Sequence, residues 1–138
     1  MKVVVSACLL GENCKYNGGN NKSPVILEYL RGKDVIPVCP EVLAGLGTPR
    51  VPIEISGERV VTREGKDVTA ALKGAVAQIL RQLSEEDVKC VILKSRSPTC
   101  GVKQVYDGSF TGKLVDGMGV LARALGEAGY RVIDAEDI

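Results

Sequence analysis

Five cysteines are the residues of this sequence best suited to demanding chemistry, because the chain contains no histidine. Without histidine, Ser-His-Asp and Cys-His nucleophile pairs are excluded, and so is every metal site that uses an imidazole. No two of the cysteines form a CxxC pair, and their spacing matches no standard metal motif. Any joint chemistry of the thiols therefore depends on a fold that brings distant segments together.

The elements that must position these cysteines are predicted by the hydrophobic pattern. Short apolar, β-branched runs predict four buried strands, at residues 2–7, 34–39, 88–94 and 130–134. One helix is predicted to begin at Ser23 and Pro24, which suit the N-cap and the first helical position. Two more helices are predicted over 67–87 and 115–129, where apolar residues recur at helical spacing. An alternating segment at 53–61 predicts a small hairpin around Ser56 and Gly57.

The remaining stretches are predicted to be loops, at 11–22, at 40–52 with about one helical turn, and at 95–113. Strands that alternate with helices imply right-handed crossovers and a mostly parallel sheet covered on both faces. We therefore expect an α/β protein, a single Rossmann-like three-layer domain over residues 1–138 with a small hairpin insertion. Sheets of this kind bind ligands at the carboxyl ends of their strands.

Three cysteines fall at that edge of the predicted sheet. Cys8 follows the first strand, Cys39 ends the second, and Cys100 lies in the loop after the third, so we expect their thiols to meet. Three soft thiolates suit zinc or an iron-sulfur cluster, and a set of three leaves the open position of a catalytic site. Cys14 would close the site as a fourth ligand. Cys90, inside an apolar strand, is assigned to the core, and core packing is the alternative for each other cysteine.

Polar residues near the same edge are candidates for acid-base work and hydrogen bonding. Glu41 stands two residues after Cys39, where burial beside a metal site would raise its pKa, although a carboxylate there also favours a helix N-terminus. Ser95, Ser97 and Thr99 offer hydroxyls to a substrate or to cluster sulfurs, and local turn bonding is their alternative role.

The first long loop carries further candidates for binding. Lys15, Tyr16 and Asn17 offer contacts to an anionic or heterocyclic ligand, and a solvated loop is the alternative interpretation. The loop lacks the glycine and lysine pattern of a phosphate-binding loop, so nucleotide phosphates are not indicated.

Composition restricts the partners. The formal net charge is +1, from 18 basic and 17 acidic residues, and aromatic residues make up only 4% of the chain, which disfavours a nucleic-acid partner. No apolar stretch approaches the roughly 18 residues of a membrane span. We expect a cytoplasmic protein, in which five cysteines, an odd number, stay reduced.

Five blocks of the sequence together resemble a known family. They are VSACLLGENCKYNGG, PVCPEVLAGLGTPRVPIEI, KSRSPTCG, VYDGSF and GMGVLARAL. In this order they are similar to the small bacterial family of the thiouracil desulfidases, long catalogued as a domain of unknown function. The resemblance implies a [4Fe-4S] cluster held by Cys8, Cys39 and Cys100, with a fourth, open iron. It also implies Glu41 as catalytic acid/base and Ser97 as its supporting hydroxyl.

The activity that follows from the resemblance is removal of sulfur from a thiolated heterocycle such as 2-thiouracil, with release of sulfide and no net redox change. Gly101 is expected to leave room for the cluster, and Pro98 to stiffen the turn. Two alternatives come from other classes of protein. One is a structural zinc site closed by Cys8, Cys14, Cys39 and Cys100; the other is thiol or persulfide transfer by Cys8 and Cys14.

Overall fold

The computed structural model describes residues 1–138 and contains eight strands and four α-helices. In chain order the elements are β1 Lys2–Ser6, α1 Pro24–Tyr29, β2 Asp34–Val38, α2 Pro40–Leu43, β3 Ile53–Ser56, β4 Arg59–Thr62, α3 Thr69–Leu83, β5 Val88–Leu93, β6 Gln104–Tyr106, β7 Leu114–Asp116, α4 Val120–Glu127 and β8 Val132–Asp134. Short 3₁₀ helices follow β1 at Ala7–Leu10 and β8 at Ala135–Asp137.

The centre of the molecule is a four-stranded sheet in the order β2-β1-β5-β8, with every neighbouring pair parallel. Parallel neighbours need crossover connections, and α1, α3 and α4 lie in the segments between these strands. The expected α/β fold with a mostly parallel sheet is therefore confirmed. Because all four strands run the same way, their carboxyl ends share one edge.

The two faces of the sheet are covered by different helices, which gives the three expected layers. Val4 of β1 packs in a cluster with residues of α3 and α4, including Ile79 and Leu121. Its neighbour Val3 points to the other face, where Ile26 of α1 lies. Cys90 is 1% exposed within that second cluster, so its assignment to the core is confirmed.

Helix α3 carries the strongest periodic signal of the sequence. Its buried side chains recur at helical spacing and face the sheet: Leu72, Ala75, Val76, Ile79 and Leu83. The helix is shorter at both ends than the predicted 67–87. At the start, Asp67 lies outside the helix and its side chain accepts a hydrogen bond from the Thr69 N–H. At the end, Ser84 is the C-cap.

The segment between β5 and α4 differs from the prediction. Residues 104–106 and 114–116 pair as a second antiparallel hairpin, β6-β7, where a loop and the start of a helix were expected. Helix α4 begins only at Val120, because Gly117 and Gly119 separate it from β7 and glycine is a poor helix former. The first hairpin, β3-β4, turns at Gly57 as predicted.

None of the helices combines the length and apolar character needed to cross a bilayer.

Candidate functional site

A cavity of about 540 Å³ lies where β1, β2 and β5 end. Residues at or just after the three strand ends line it: Ser6, Val38, Cys39 and Lys94. The thiol-bearing residues Cys8, Cys14 and Cys100 lie on the same wall. The cysteines that the topology was expected to gather are thus brought to one site, from positions up to 92 residues apart in the sequence.

Each of these cysteines is positioned by a different element. Cys8 lies in the 3₁₀ helix directly after β1, and Cys39 is the N-cap residue of the four-residue helix α2. Cys100 lies in the loop that follows β5 and is 5% exposed. All five cysteines of the chain are free thiols.

Asn21 holds the Cys8 turn in place. Its backbone N–H donates to the Cys8 carbonyl at 2.9 Å, and its side-chain Nδ2 donates to Cys8 Sγ at 3.4 Å. Burial raises the pKa of the Cys8 thiol, while the bond from Asn21 and the nearby Lys94 ammonium favour the thiolate. The pocket therefore already offers donors that would stabilise a charged sulfur at this position.

Cys100 is held by the hydroxyls around it. Ser97 Oγ accepts bonds from the backbone N–H groups of Thr99 and Cys100, at 3.1 and 3.2 Å. Thr99 Oγ1 lies 3.7 Å from Cys100 Sγ, and the nearby Ser6 hydroxyl also acts to lower the pKa of this thiol. Burial nevertheless raises the pKa of Cys100 to about 12, so this thiol is protonated unless a cation or metal lies beside it.

Cys14 lies near Cys39 at the cavity. Burial, followed by the proximity of Cys39, raises the pKa of Cys14 to about 12. No group of three or more His, Cys, Asp or Glu side chains is arranged to hold a metal ion. The thiols share a cavity wall without converging on the single point that one ion requires.

Glu41 forms a buried ion pair with Arg50. Arg50 Nη2 donates to Glu41 Oε2 at 2.7 Å, and the two side chains are 5% and 17% exposed, the arginine being the more buried. Burial raises the pKa of the Glu41 carboxyl, and the Arg50 guanidinium opposes that shift without cancelling it. Glu41 thus lies in the cavity wall as a carboxyl group whose proton affinity is increased.

Of the other predicted site residues, four line the cavity and one does not. Lys15, Tyr16, Ser95 and Ser97 line the cavity. The Ser95 hydroxyl lies near the Glu136 carboxylate and lowers the pKa of that acid. Asn17 is exposed and does not line the cavity, since its Oδ1 accepts the Gly19 N–H at 2.9 Å in a turn of the loop.

The role expected for Gly101 stays a prediction, and the structure adds another reason for the glycine. A Cβ at this position would lie 2.6 Å from the Gln104 carbonyl oxygen and 2.8 Å from the Ser97 carbonyl oxygen. Close packing of the loop against its own backbone thus already requires a glycine here. Gly119 has a similar role, because a Cβ there would lie 2.5 Å from the Thr99 carbonyl oxygen.

Three residues with direct contacts to the site were missed by sequence reasoning, namely Ser6, Asn21 and Arg50. Their contacts span loops or strands, so no local pattern indicates them. The one signal for Arg50 is its place in TPRVP, a charged residue held between two prolines. Arg63 was also missed; it lines the cavity with its guanidinium 5.9 Å from the centre of the Phe110 ring.

The chain is similar to known proteins in both sequence and overall structure. The family model for 2-thiouracil desulfurase matches residues 3–137. The protein YbbK of Bacillus subtilis (strain 168) is 39% identical over 146 residues, covering 99% of this chain and 97% of that protein. The solved structure of the [4Fe-4S]-dependent thiouracil desulfidase TudS superposes with a TM-score of 0.92 at 36% identity, covering 99% of this chain and 92% of that one. This chain belongs to the 2-thiouracil desulfurase family.

Proposed function

We propose that this protein, acting as one domain over residues 1–138, is a [4Fe-4S]-dependent desulfidase that removes sulfur from a thiolated heterocycle of the 2-thiouracil kind. The observation that carries the proposal is the single cavity wall on which Cys8, Cys39 and Cys100 lie together with Glu41, in a chain of this family. We assign the three cysteines as the cluster ligands. All cysteines are free thiols, as expected in the cytoplasm, where we place the enzyme.

The donor set fits such a cluster. Iron-sulfur clusters are held by thiolates, and each cysteine bonds a different iron, so the sulfurs need not converge on one point. Cys8, Cys39 and Cys100 all line one cavity, as three ligands of one cluster must. Hydroxyl and amide donors beside Cys100 and Cys8 suit anionic sulfur, since hydrogen bonds to cluster sulfurs are part of how proteins hold and tune these groups.

Overall, the reaction replaces a carbon-sulfur double bond by a carbon-oxygen double bond, consumes water and releases hydrogen sulfide, with no net oxidation. When bound through three cysteines, the cluster supplies an iron without a protein ligand, a Lewis acid with affinity for soft sulfur. The protein must then supply proton transfer and orientation.

Glu41 is our candidate for proton transfer. A carboxyl group with a raised pKa exchanges a proton near neutral pH more effectively than an ordinary glutamate, because its pKa is closer to the working pH. Glu41 would take a proton from the attacking water or give one to a ring nitrogen. Its bond to Arg50 leaves Oε1 for this role, since Arg50 contacts Oε2.

Ser97 supports the same wall. Its oxygen accepts two backbone N–H groups of the Cys100 loop, so its own hydrogen remains for Thr99 Oγ1, 3.0 Å away, or for a bound water. Removal of this hydroxyl would disturb the Cys100 loop and the orientation of water together. Lys15, Tyr16 and Ser95 form other parts of the cavity lining and are our candidates for contact with the heterocycle.

Cys14 is the residue on which the two alternative functions, a structural zinc site and sulfur transfer between thiols, depend. Its place near Cys39 is compatible with sulfur transfer between thiols. A closed four-thiol zinc site would in addition require the thiols to move to a common point, since no such group is arranged to hold one ion. A zinc protein would be colourless, and a thiol enzyme would work without metal. The desulfidase requires iron in every active preparation.

The test is anaerobic reconstitution followed by measurement of sulfide release from a panel of thiolated bases and nucleosides. We expect a brown wild-type protein that releases sulfide from at least one of them. Glu41→Gln should keep the colour and iron content but lose turnover, by roughly 100-fold or more for an acid-base group. Glu58→Gln, on the exposed turn of the first hairpin, is the matched control and should resemble the wild type. A colourless protein with full activity would exclude the proposal.

A further inference from the structure

Arg50 connects two segments that line the cavity to a third segment that lies after α2. Its Nη2 donates to Glu41 Oε2 on α2 at 2.7 Å and to the Cys14 carbonyl in the first loop at 3.1 Å. Its Nη1 donates to the Gly47 carbonyl at 2.8 Å, and its backbone N–H donates to the Tyr16 carbonyl. A single residue thereby joins the acid, the cysteine-bearing loop and the segment after α2.

The burial of this arginine shows how specific the arrangement is. The side chain is only 5% exposed, and a charge removed from water to that degree is stable only with close, well-oriented partners. The guanidinium is a planar fork, so three partners in fixed directions also fix its plane. The Glu41 oxygen that it contacts is held by the same geometry.

One nitrogen of this arginine has no hydrogen-bond partner. Nε is the one buried side-chain nitrogen or oxygen of the protein that has no hydrogen-bond partner. Arg50 also lines the cavity. An arginine retained only to hold loops together would be expected to use all of its buried donors, because an unpaired buried N–H is unfavourable.

We propose that Arg50 is a positioning residue of the reaction, which holds the Glu41 carboxylate at the cavity wall in the orientation that proton transfer needs. The inference rests on the proposed function, in which Glu41 is the acid/base. Arg50 acts through Glu41, so its loss should slow turnover more than it weakens substrate binding. A lysine in its place keeps the charge but offers one nitrogen, which cannot reach Glu41, Cys14 and Gly47 in the same directions.

The experiment compares Arg50→Lys and Arg50→Ala with the wild type, all reconstituted anaerobically, on the thiolated base that the wild type turns over best. Arg59→Lys is the matched control, because Arg59 also pairs with a carboxylate, Asp67, but at 3.6 Å on the exposed surface. The iron content, the melting temperature, kcat and KM are measured for each protein. Arg50→Ala is also assayed with added guanidinium at concentrations that do not unfold it.

We expect Arg50→Lys to bind iron as the wild type does and to keep its KM, while kcat falls about 100-fold, the scale of a misplaced catalytic group. Guanidinium should restore part of the kcat of Arg50→Ala and none of that of Arg50→Lys. Arg59→Lys should keep wild-type values.

Wild-type kcat in Arg50→Lys would overturn the inference, and so would a fall in kcat that only follows lost iron or lost fold. If removal of the buried partner leaves Arg50→Ala unfolded, Arg50→Lys decides the question alone. The two proposals fail differently. An active wild type beside an equally active Arg50→Lys contradicts only the role of Arg50, whereas a wild type that binds iron but releases no sulfide contradicts the proposed function, and the inference falls with it.

Discussion

The hydroxyl of Ser6 accepts a hydrogen bond from the backbone N–H of Lys94, with 3.0 Å between oxygen and nitrogen. Ser6 ends β1 and Lys94 directly follows β5, 88 residues further along the chain. The same hydroxyl also acts to lower the pKa of the nearby Cys100 thiol. The two strand ends that lead to Cys8 and Cys100 are therefore joined by a side chain at the site itself, in addition to the ladder of the sheet.

Ser6→Ala should destabilise the protein. Ser6 is 2% exposed, so the alanine leaves the Lys94 N–H without its acceptor, at a cost of about 1–3 kcal/mol in the free energy of unfolding. Urea unfolding monitored by circular dichroism measures the change. Ser84→Ala is the control, because that exposed hydroxyl bonds only the Arg81 carbonyl at the end of α3. Equal stabilities of the two variants would count against the coupling of the strand ends.

Two glycines near or within α4 should respond to alanine in opposite ways. A Cβ at Gly119 would lie 2.4 Å from the Thr99 carbonyl carbon and 2.7 Å from the Cys100 nitrogen, whereas nothing lies within 4 Å of one at Gly126. Gly119→Ala should therefore cost about 1–3 kcal/mol and displace the Cys100 loop. Gly126→Ala should stabilise the helix by about 0.5–1 kcal/mol. Thermal unfolding ranks the variants, and a more stable Gly119→Ala would disprove this packing.

Asp67 should contribute to the pH dependence of stability. Hydrogen bonds from the Thr69 hydroxyl and N–H hold the pKa of Asp67 below its usual value. A carboxyl group whose folded pKa is lowered stabilises the fold above the unfolded pKa, about 3.9, and loses that contribution as pH falls through the folded value. Asp67→Asn should thus be less stable than the wild type at pH 6 and lose less stability on acidification. Parallel curves of unfolding free energy against pH would refute the assignment.

The cysteines should separate into two classes. Cys39→Ser should abolish iron binding, because Cys39 is assigned as a ligand and serine is a poor one for iron. Cys14→Ser should keep the iron, since Cys14 lies near Cys39 but is not needed by a three-cysteine set. Iron per chain after anaerobic reconstitution gives the answer. Loss of iron in both variants would favour the closed four-cysteine site.

The parts of the fold that depend on local pattern could be predicted from the sequence. The β-branched run of β1 indicates a strand buried on both faces, and the apolar face of α3 indicates a helix and the side that it buries. Parallel topology then places Cys8 and Cys39 at one edge. The strands of the second hairpin have three residues each, which is too short to show alternation. Its pairing is set by tertiary contacts, among them bonds from Gly108 and Phe110 to Glu54.

The missed parts of the site depend on contacts between loops. Asn21 reaches Cys8 across 13 residues, and Arg50 reaches the Cys14 carbonyl across 36. Neither residue belongs to a periodic segment, and each is one of many polar residues in a turn-rich stretch. Gly101 shows a related difficulty. A glycine in this loop indicates that a side chain would not fit, but only the folded structure shows that the Gln104 and Ser97 carbonyls would be in its way.

We propose that Cys8, Cys39 and Cys100 hold a [4Fe-4S] cluster that the desulfidation requires. The decisive experiment counts iron and acid-labile sulfide per chain in anaerobically reconstituted wild type and in the three single serine variants, with sulfide release assayed on the same samples. We expect about four irons and four sulfides per wild-type chain, the contents of such a cluster, with activity that disappears together with the iron in every variant. Full sulfide release by a wild-type sample without iron, or iron retained when any of the three cysteines is replaced, would contradict it.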